Sequence, residues 1–267
     1  MKFSEDSKYG FVVGRVRARE ALLLKRGEYE RFLNINNLTE FLTLLRQIWS
    51  YETPDTANSQ FEDLLSAATK ENQQFFAKYC FDLPVKELFL TPIFYNPAKL
   101  QTHLKYLNNE FLNAYFTAAI DFENIRSWIR IKYLATLQKQ DNVEQKKLFT
   151  NQYLPNGKLS QAEFLELLLM DFEDFIRWLD KTPYKSCIEP GINYLLENNS
   201  FIRLERLIAE EKQKILLLAR YAIFGFEPLV SYFLLKQSEI ANIKKIYYGL
   251  SENTPIHLLR ESIACVL

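Results

Sequence analysis

The sequence predicts an all-α protein, and three observations carry that prediction. Apolar residues recur at helical spacing along nearly the whole chain, and the two-residue alternation of a half-buried strand is almost absent. Glycine is scarce: seven residues in 267, where an average chain has roughly 7%, leave little material for tight turns and phosphate-cradling loops. A six-residue helical pattern also occurs twice. Asp121-Phe122-Glu123-Asn124-Ile125-Arg126 and Glu239-Ile240-Ala241-Asn242-Ile243-Lys244 share the order acid, apolar, variable, Asn, Ile, base, which points to a duplicated helical unit.

Composition bounds the function classes. Apolar residues make up 48% of the chain, aromatics 15% and charged residues 25%, the profile of a globular protein able to bury a sizeable core. Its length suits one elongated domain, residues 1–267, with subdivisions expected at 1–80, 81–155 and 156–267. Lys and Arg total 33 and so do Asp and Glu, so no global field favours nucleic acid or an anionic membrane. Cys80, Cys187 and Cys265 are odd in number and far apart, against a disulfide framework or a zinc cluster and in keeping with a cytoplasmic chain. The first residues do not read as a signal peptide, because charge interrupts every apolar run.

The elements follow in chain order. Arg15, Arg17, Arg19, Lys25 and Arg26 make the amino-terminal helix basic, with Arg15 and Arg19 on one face, Val16 and Leu23 on another, and Glu20 placed to compensate. Gly10 and Gly14 carry the small-x-x-x-small spacing of close helix contacts, in a run too short to span a bilayer. Tyr51 to Ala57, with Pro54 and Asp55, reads as a break. Ser59 to Glu62 and Ser160 to Glu163 have capping-box form, and each is expected to open a long helix. Between Pro97 and Gln140 nothing breaks the chain, so one long helix or two in series is expected, with Asn108-Asn109 as the joint. Pro155-Asn156-Gly157 marks a loop, and Thr182 to Gly191, with Pro183 and Pro190, a further break. Ile215 to Leu235 is apolar, but Arg220, Glu227 and Pro228 favour a break between two buried helices over a membrane span. Thr254-Pro255 is expected to cap a last helix reaching the carboxyl end.

Within the repeated pattern, Phe122, Ile125 and Ile129 share one stripe, and Glu123 can pair with Arg126; Ile240, Ile243 and Tyr247 are expected to face inward in the second copy. Asn is a mediocre helix former, so its recurrence at 124 and 242 suggests a buried amide satisfied by an interhelical hydrogen bond.

Catalytic patterns are hard to assemble from these residues. His103 and His257 belong to no H-E-x-x-H and have no Glu three residues earlier. Asp171, Glu173 and Asp174 read as the wet side of an amphipathic helix whose apolar side is Phe172, Phe175, Ile176 and Leu179, not as a metal site. There is no G-x-S-x-G elbow, and Cys187 has no local base. No catalytic, cofactor or metal residue is therefore assigned.

Three segments together resemble the C/d subunit family of V-type and A-type rotary ATPases: Tyr9-Gly10-Phe11-Val12-Val13-Gly14-Arg15-Val16-Arg17 through Leu24, the Asn-Ile-Arg helix of Asp121 to Lys132, and Glu227-Pro228-Leu229 through Gly249. Gln237 departs from the acid expected after Lys236, and the middle around residues 140–160 is compressed. The resemblance implies a funnel-like assembly of three pseudo-repeated helical units and no active site or cofactor. It implies a cytoplasmic protein, peripheral to the membrane, whose partners are the rotor shaft and the proteolipid ring. Its role would be to link ATP-driven rotation to proton or sodium transport. Arg15, Arg19, Arg126, Arg130, Lys244 and Lys245, on the polar stripes of the three family-like helices, are the candidate partner contacts. A free all-helical adaptor that binds other helices is the alternative reading.

Overall fold

The computed structural model describes residues 1–35, 37–49, 60–91, 96–138 and 141–267. Among them the helical periodicity becomes fourteen α-helices and no strand, so the all-α expectation holds. They are α1 Gly10–Glu20, α2 Arg26–Leu33, α3 Leu38–Trp49, α4 Phe61–Tyr79, α5 Leu83–Leu90, α6 Pro97–Leu107, α7 Glu110–Gln138, α8 Asn142–Gln152, α9 Gln161–Leu167, α10 Phe172–Trp178, α11 Lys185–Asn198, α12 Ile202–Leu217, α13 Glu227–Ser251 and α14 Ile256–Ser262.

Two compact units form, one from Met1 and Pro92–Ile215, the other from Lys2–Thr91 and Leu216–Leu267. In the first, α7 is buried on nearly every side, with Phe122, Ile125, Trp128 and Ile129 in the core beside Phe149, Phe164 and Phe175. Trp128 stacks on Phe175 with ring centroids 3.9 Å apart. In the second unit α13 is the central helix, its Ile243 and Ile246 packed among Phe32, Phe41, Leu45 and Leu64. Phe61 stacks on Tyr247 at 3.6 Å. Each such fully buried side chain contributes about 1.5–3 kcal/mol of transfer free energy, which is why helices of modest intrinsic stability persist here.

Several local expectations match the structure. Asn108 adopts a left-handed conformation, φ 41°, and ends α6 just before α7 begins. Glu123 pairs with Arg126 at 2.9 Å. The Ile215–Leu235 stretch breaks between α12 and α13, with Pro228 in the first turn of α13. Among the described residues no helix is long and apolar enough to cross a membrane.

Others are corrected. The Tyr51–Ala57 break lies outside the described residues, as does Ser59. The cap of α4 falls instead on Gln60, whose N–H donates to Asp63 at 3.1 Å. Ser160 and Glu163 do form a capping box, but α9 lasts only seven residues. Lys132 Nζ donates to the Leu168 carbonyl at 2.8 Å, and the Asp171 side chain accepts the Asp174 N–H at 2.9 Å, starting α10 afresh. Pro190 does not break the chain; it lies inside α11, where buried Cys187, Ile188, Ile192 and Leu195 hold the helix on both sides of the missing N–H. Gly191 lets α12 come close, since a Cβ there would stand 2.9 Å from the Leu204 Cα. Pro255, not Thr254, occupies the cap of α14, and α14 stops at Ser262 because the following residues are extended and buried, as at Ile263 and Ala264.

Candidate functional site

The chain's most organised chemistry is buried and polar, and it falls on the repeated six-residue pattern. In α7, Asp121 is fully buried. Its Oδ1 accepts the Leu159 N–H at 3.1 Å and its Oδ2 accepts the Tyr184 hydroxyl at 2.6 Å. Burial pushes the Tyr184 phenol far up, and the Asp121 carboxylate adds to the rise, so the hydroxyl stays a donor. One turn on, Asn124 Oδ1 accepts the Leu154 N–H and its Nδ2 donates to the Leu154 carbonyl, both at 2.8 Å. Acid and amide together lay the loop between α8 and α9 along α7. Gly157 makes room for that approach, because a Cβ there would stand 2.2 Å from Asp121 Oδ1.

The second copy repeats the device in α13. Glu239, also buried, accepts the Leu24 N–H at 2.8 Å through Oε2 and the Trp49 indole N–H at 2.9 Å through Oε1. Lys236, one turn earlier and over the Trp49 ring at 5.0 Å, donates to the same carboxylate. Asn242 Nδ2 donates to the Ala264 carbonyl at 2.7 Å, holding the extended tail after α14. The expected interhelical bond holds in the second copy, where Asn242 also hydrogen-bonds the Tyr29 side chain of α2, while both amides in addition bond the backbone of non-helical segments, at Leu154 and Ala264.

A third buried acid opens α13. Glu227 accepts the Ser4 N–H at 2.6 Å and the Ser4 hydroxyl at 2.8 Å, tying the amino-terminal segment to the helix. Gly225, at φ 97°, turns the chain into this arrangement; a side chain there would meet Ser4 Oγ at 2.2 Å. The sequence reading passed over Asp121, Glu227 and Glu239 as bonding groups. The available signal was an acid set in an apolar run, as at Ala118-Ala119-Ile120-Asp121-Phe122.

The six candidate contacts divide between the units. Arg15 donates to the Tyr79 hydroxyl and packs over Phe11 at 5.0 Å. Arg19 pairs with Glu71 at 3.1 Å and lies 4.1 Å over Phe75. Glu20 compensates Arg17, at 2.6 Å, not Arg15 or Arg19. In the other unit, Glu205 takes Arg126 at 3.4 Å and Arg130 at 2.8 Å. Lys212 stands near this network, its ammonium pKa lowered chiefly by burial, with Arg126 adding and Glu123 and Glu205 opposing. Lys244 lies over Tyr248 at 5.9 Å, and Lys245 donates to the Ser262 carbonyl at 3.0 Å. The base position is where the two copies diverge: Arg126 is held in an ion network, and Lys244 is exposed.

Cys80 and Cys187 are buried, and burial pushes their thiols up to about 11 and about 12, so the nucleophilic thiolate is rare at neutral pH. Glu173 and Asp174 pair with the exposed Arg177 on the wet side of α10. Among the described residues no three His, Cys, Asp or Glu side chains group as metal ligands. A cleft of about 420 Å³ in the first unit is walled by Ala114, Thr117, Ala118, Phe122, Tyr184 and Ile215, with Lys158 and Glu211 as its charged groups. Glu211 is paired with Lys214 at 2.5 Å.

No curated protein matches the chain. The family model described as the ATP synthase (C/AC39) subunit matches residues 93–261, well over half of the sequence. That span contains both copies of the acid-x-x-Asn pattern and the Glu227-Pro228-Leu229 start of α13, while the Arg15-Val16-Arg17 helix lies before it. The chain therefore belongs to the C/AC39 subunit family of ATP synthases, the C/d subunit family of V-type and A-type rotary ATPases.

Proposed function

We propose that this chain is a non-catalytic central-stalk subunit, seated between the rotor shaft and the membrane proteolipid ring, that couples ATP-driven rotation to proton or sodium transport. Family membership across residues 93–261 is the observation that carries the reading. The buried bonding supports it: a part that transmits torque must resist deformation, and Asp121, Asn124, Glu239 and Asn242 tie loops and tail to the two central helices. A funnel of three related units, divided near 1–80, 81–155 and 156–267, is part of the proposal, as is a cytoplasmic position peripheral to the membrane. Arg15, Arg19, Arg126, Arg130, Lys244 and Lys245 are its partner contacts. The exposed Arg15, Arg130, Lys244 and Lys245 are the most accessible to a partner, and reversing their charge should weaken assembly. The deciding experiment is reconstitution of the rotary ATPase with and without this chain. Without it, ATP hydrolysis should continue while ion pumping is lost; pumping that stays coupled in its absence overturns the reading.

A further inference from the structure

The amino-terminal Gly10–Gly14 spacing is not absorbed by the rotary role. Gly10 faces inward, with Phe224 3.5 Å from where its Cβ would stand, but at Gly14 the same construction meets open space. Gly14 and Ala18 are exposed on α1 between two large apolar side chains that also face solvent, Phe11 at 69% and, just past the helix end, Leu22 at 77%. These positions fall on one side of α1, opposite buried Val12, Val13 and Val16. Beside them runs the segment that contains Tyr221, at the end of a 3-10 turn, and Ile223, 79% and 74% exposed. It is held against α1 by Arg17, whose Nη2 donates to the carbonyls of Ala219, Arg220 and Ala222 at 2.9, 3.0 and 3.1 Å.

Arginines line the borders, two of them paired with carboxylates. Arg15 and Arg19 flank the stripe on one side and Arg17 on the other, and Arg220 belongs to the segment whose backbone Arg17 holds. Arg19 is answered by Glu71 and Arg17 by Glu20. Arg15 bonds the Tyr79 hydroxyl rather than a carboxylate, and Arg220 is exposed. Large apolar side chains gathered on one exposed face, rather than scattered singly, mark an interaction site, and the surplus of arginine beside them selects an acidic partner.

We infer that the exposed face of α1, with the adjoining 221–224 loop, docks an amphipathic helix whose apolar stripe is bordered by carboxylates. The notch at Gly14 and Ala18, between the knobs of Phe11 and Leu22, is the relief into which a ridge of another helix fits. A bilayer surface, which also accepts arginines and aromatics, has no use for such a notch. The inference states the partner chemistry of a face whose Arg15 and Arg19 the rotary reading also uses, and its test needs no other rotary component.

The test uses the full chain and two synthetic stapled amphipathic helices with the same leucine stripe, one bordered by Glu and one by Lys, with binding read by fluorescence anisotropy. The Glu-bordered helix should bind at least about tenfold more tightly, an affinity difference of about 1.4 kcal/mol. Leu22→Asp should abolish that binding and Arg15→Glu should reverse the preference, each with an unchanged circular dichroism spectrum, since both residues face solvent. Equal binding of the two helices, binding of neither, or a preference for phosphatidylglycerol vesicles over the Glu-bordered helix overturns the inference.

Discussion

Asn124 grips the backbone of Leu154 on both sides, accepting its N–H and donating to its carbonyl, each at 2.8 Å. Three residues earlier Asp121 takes the Leu159 N–H, and in α13 Glu239 and Asn242 bond the Leu24 N–H and the Ala264 carbonyl. The repeated pattern is therefore a repeated way of fastening irregular chain to a central helix.

Replacing these amides by an apolar side chain of similar size should destabilise the protein. In Asn124→Leu the Leu154 donor and acceptor both lose their partner, for a loss of about 1–3 kcal/mol. Asn242→Leu removes a partner from both the Ala264 carbonyl and the buried Tyr29 side chain, and a comparable loss is expected. Urea unfolding followed by circular dichroism measures both, and an unchanged midpoint in Asn124→Leu would remove the argument.

Glu239 sits among the Leu24 N–H, the Trp49 indole and Lys236. Glu239→Leu strands all three donors, and breaking a buried ion pair in this way costs about 3–5 kcal/mol. The Lys236 side chain keeps 11% exposure and can turn toward water, so the lower end is expected. Adding Lys236→Met should restore part of the loss; a double variant less stable than the single would show that the ammonium is not the stranded charge.

Gly225→Ala combines backbone strain at φ 97° with a collision against Ser4 and Glu227. A strained left-handed residue alone costs about 1–3 kcal/mol. Because Ser4 is the group displaced, limited trypsin digestion at Lys2 and Lys8 should accelerate before global stability is lost. Identical digestion rates in the two proteins would mean that Glu227 does not hold the amino-terminal segment.

The buried thiols set an alkaline dependence. Burial raises Cys187 from its ordinary 9.0 to about 12 and Cys80 to about 11. Above pH 9 the unfolded chain releases these protons while the folded chain keeps them, so folding stability is fully present below about 9 and declines through 11 to 12. Cys187→Ala should flatten that decline, measured as the urea midpoint between pH 8 and 11. A slope unaffected by the substitution would assign the alkaline loss to other groups.

The sequence disclosed the helices well where the cause is local. Asn108 closes α6 because Asn tolerates a left-handed cap, and Ser160 opens α9 through its own first turn. It disclosed less where a distant partner intervenes. Pro190 reads as a breaker, yet packing around Cys187 and Ile192 carries the helix through it. Glu20 was placed to balance the arginines of α1, but which arginine it takes depends on the 219–222 carbonyls that orient Arg17. The basic candidate positions were found on their polar stripes, while the Tyr79, Glu71 and Glu205 groups that hold them lie on other helices.

By itself the sequence determined the all-α class, the apolar stripes of α7 and α13, the duplicated pattern and the family, since each is written in local spacing or in residue order. Only the tertiary structure decided what the pattern's acid and Asn do, and where α9 and α14 stop. The pattern's partners are backbone groups far away in the chain, Leu154 and Leu159 for α7 and Leu24 and Ala264 for α13, and the Leu168 carbonyl at the end of α9 is held by the distant Lys132. A buried polar group must find a partner, but local spacing does not encode which loop will supply it.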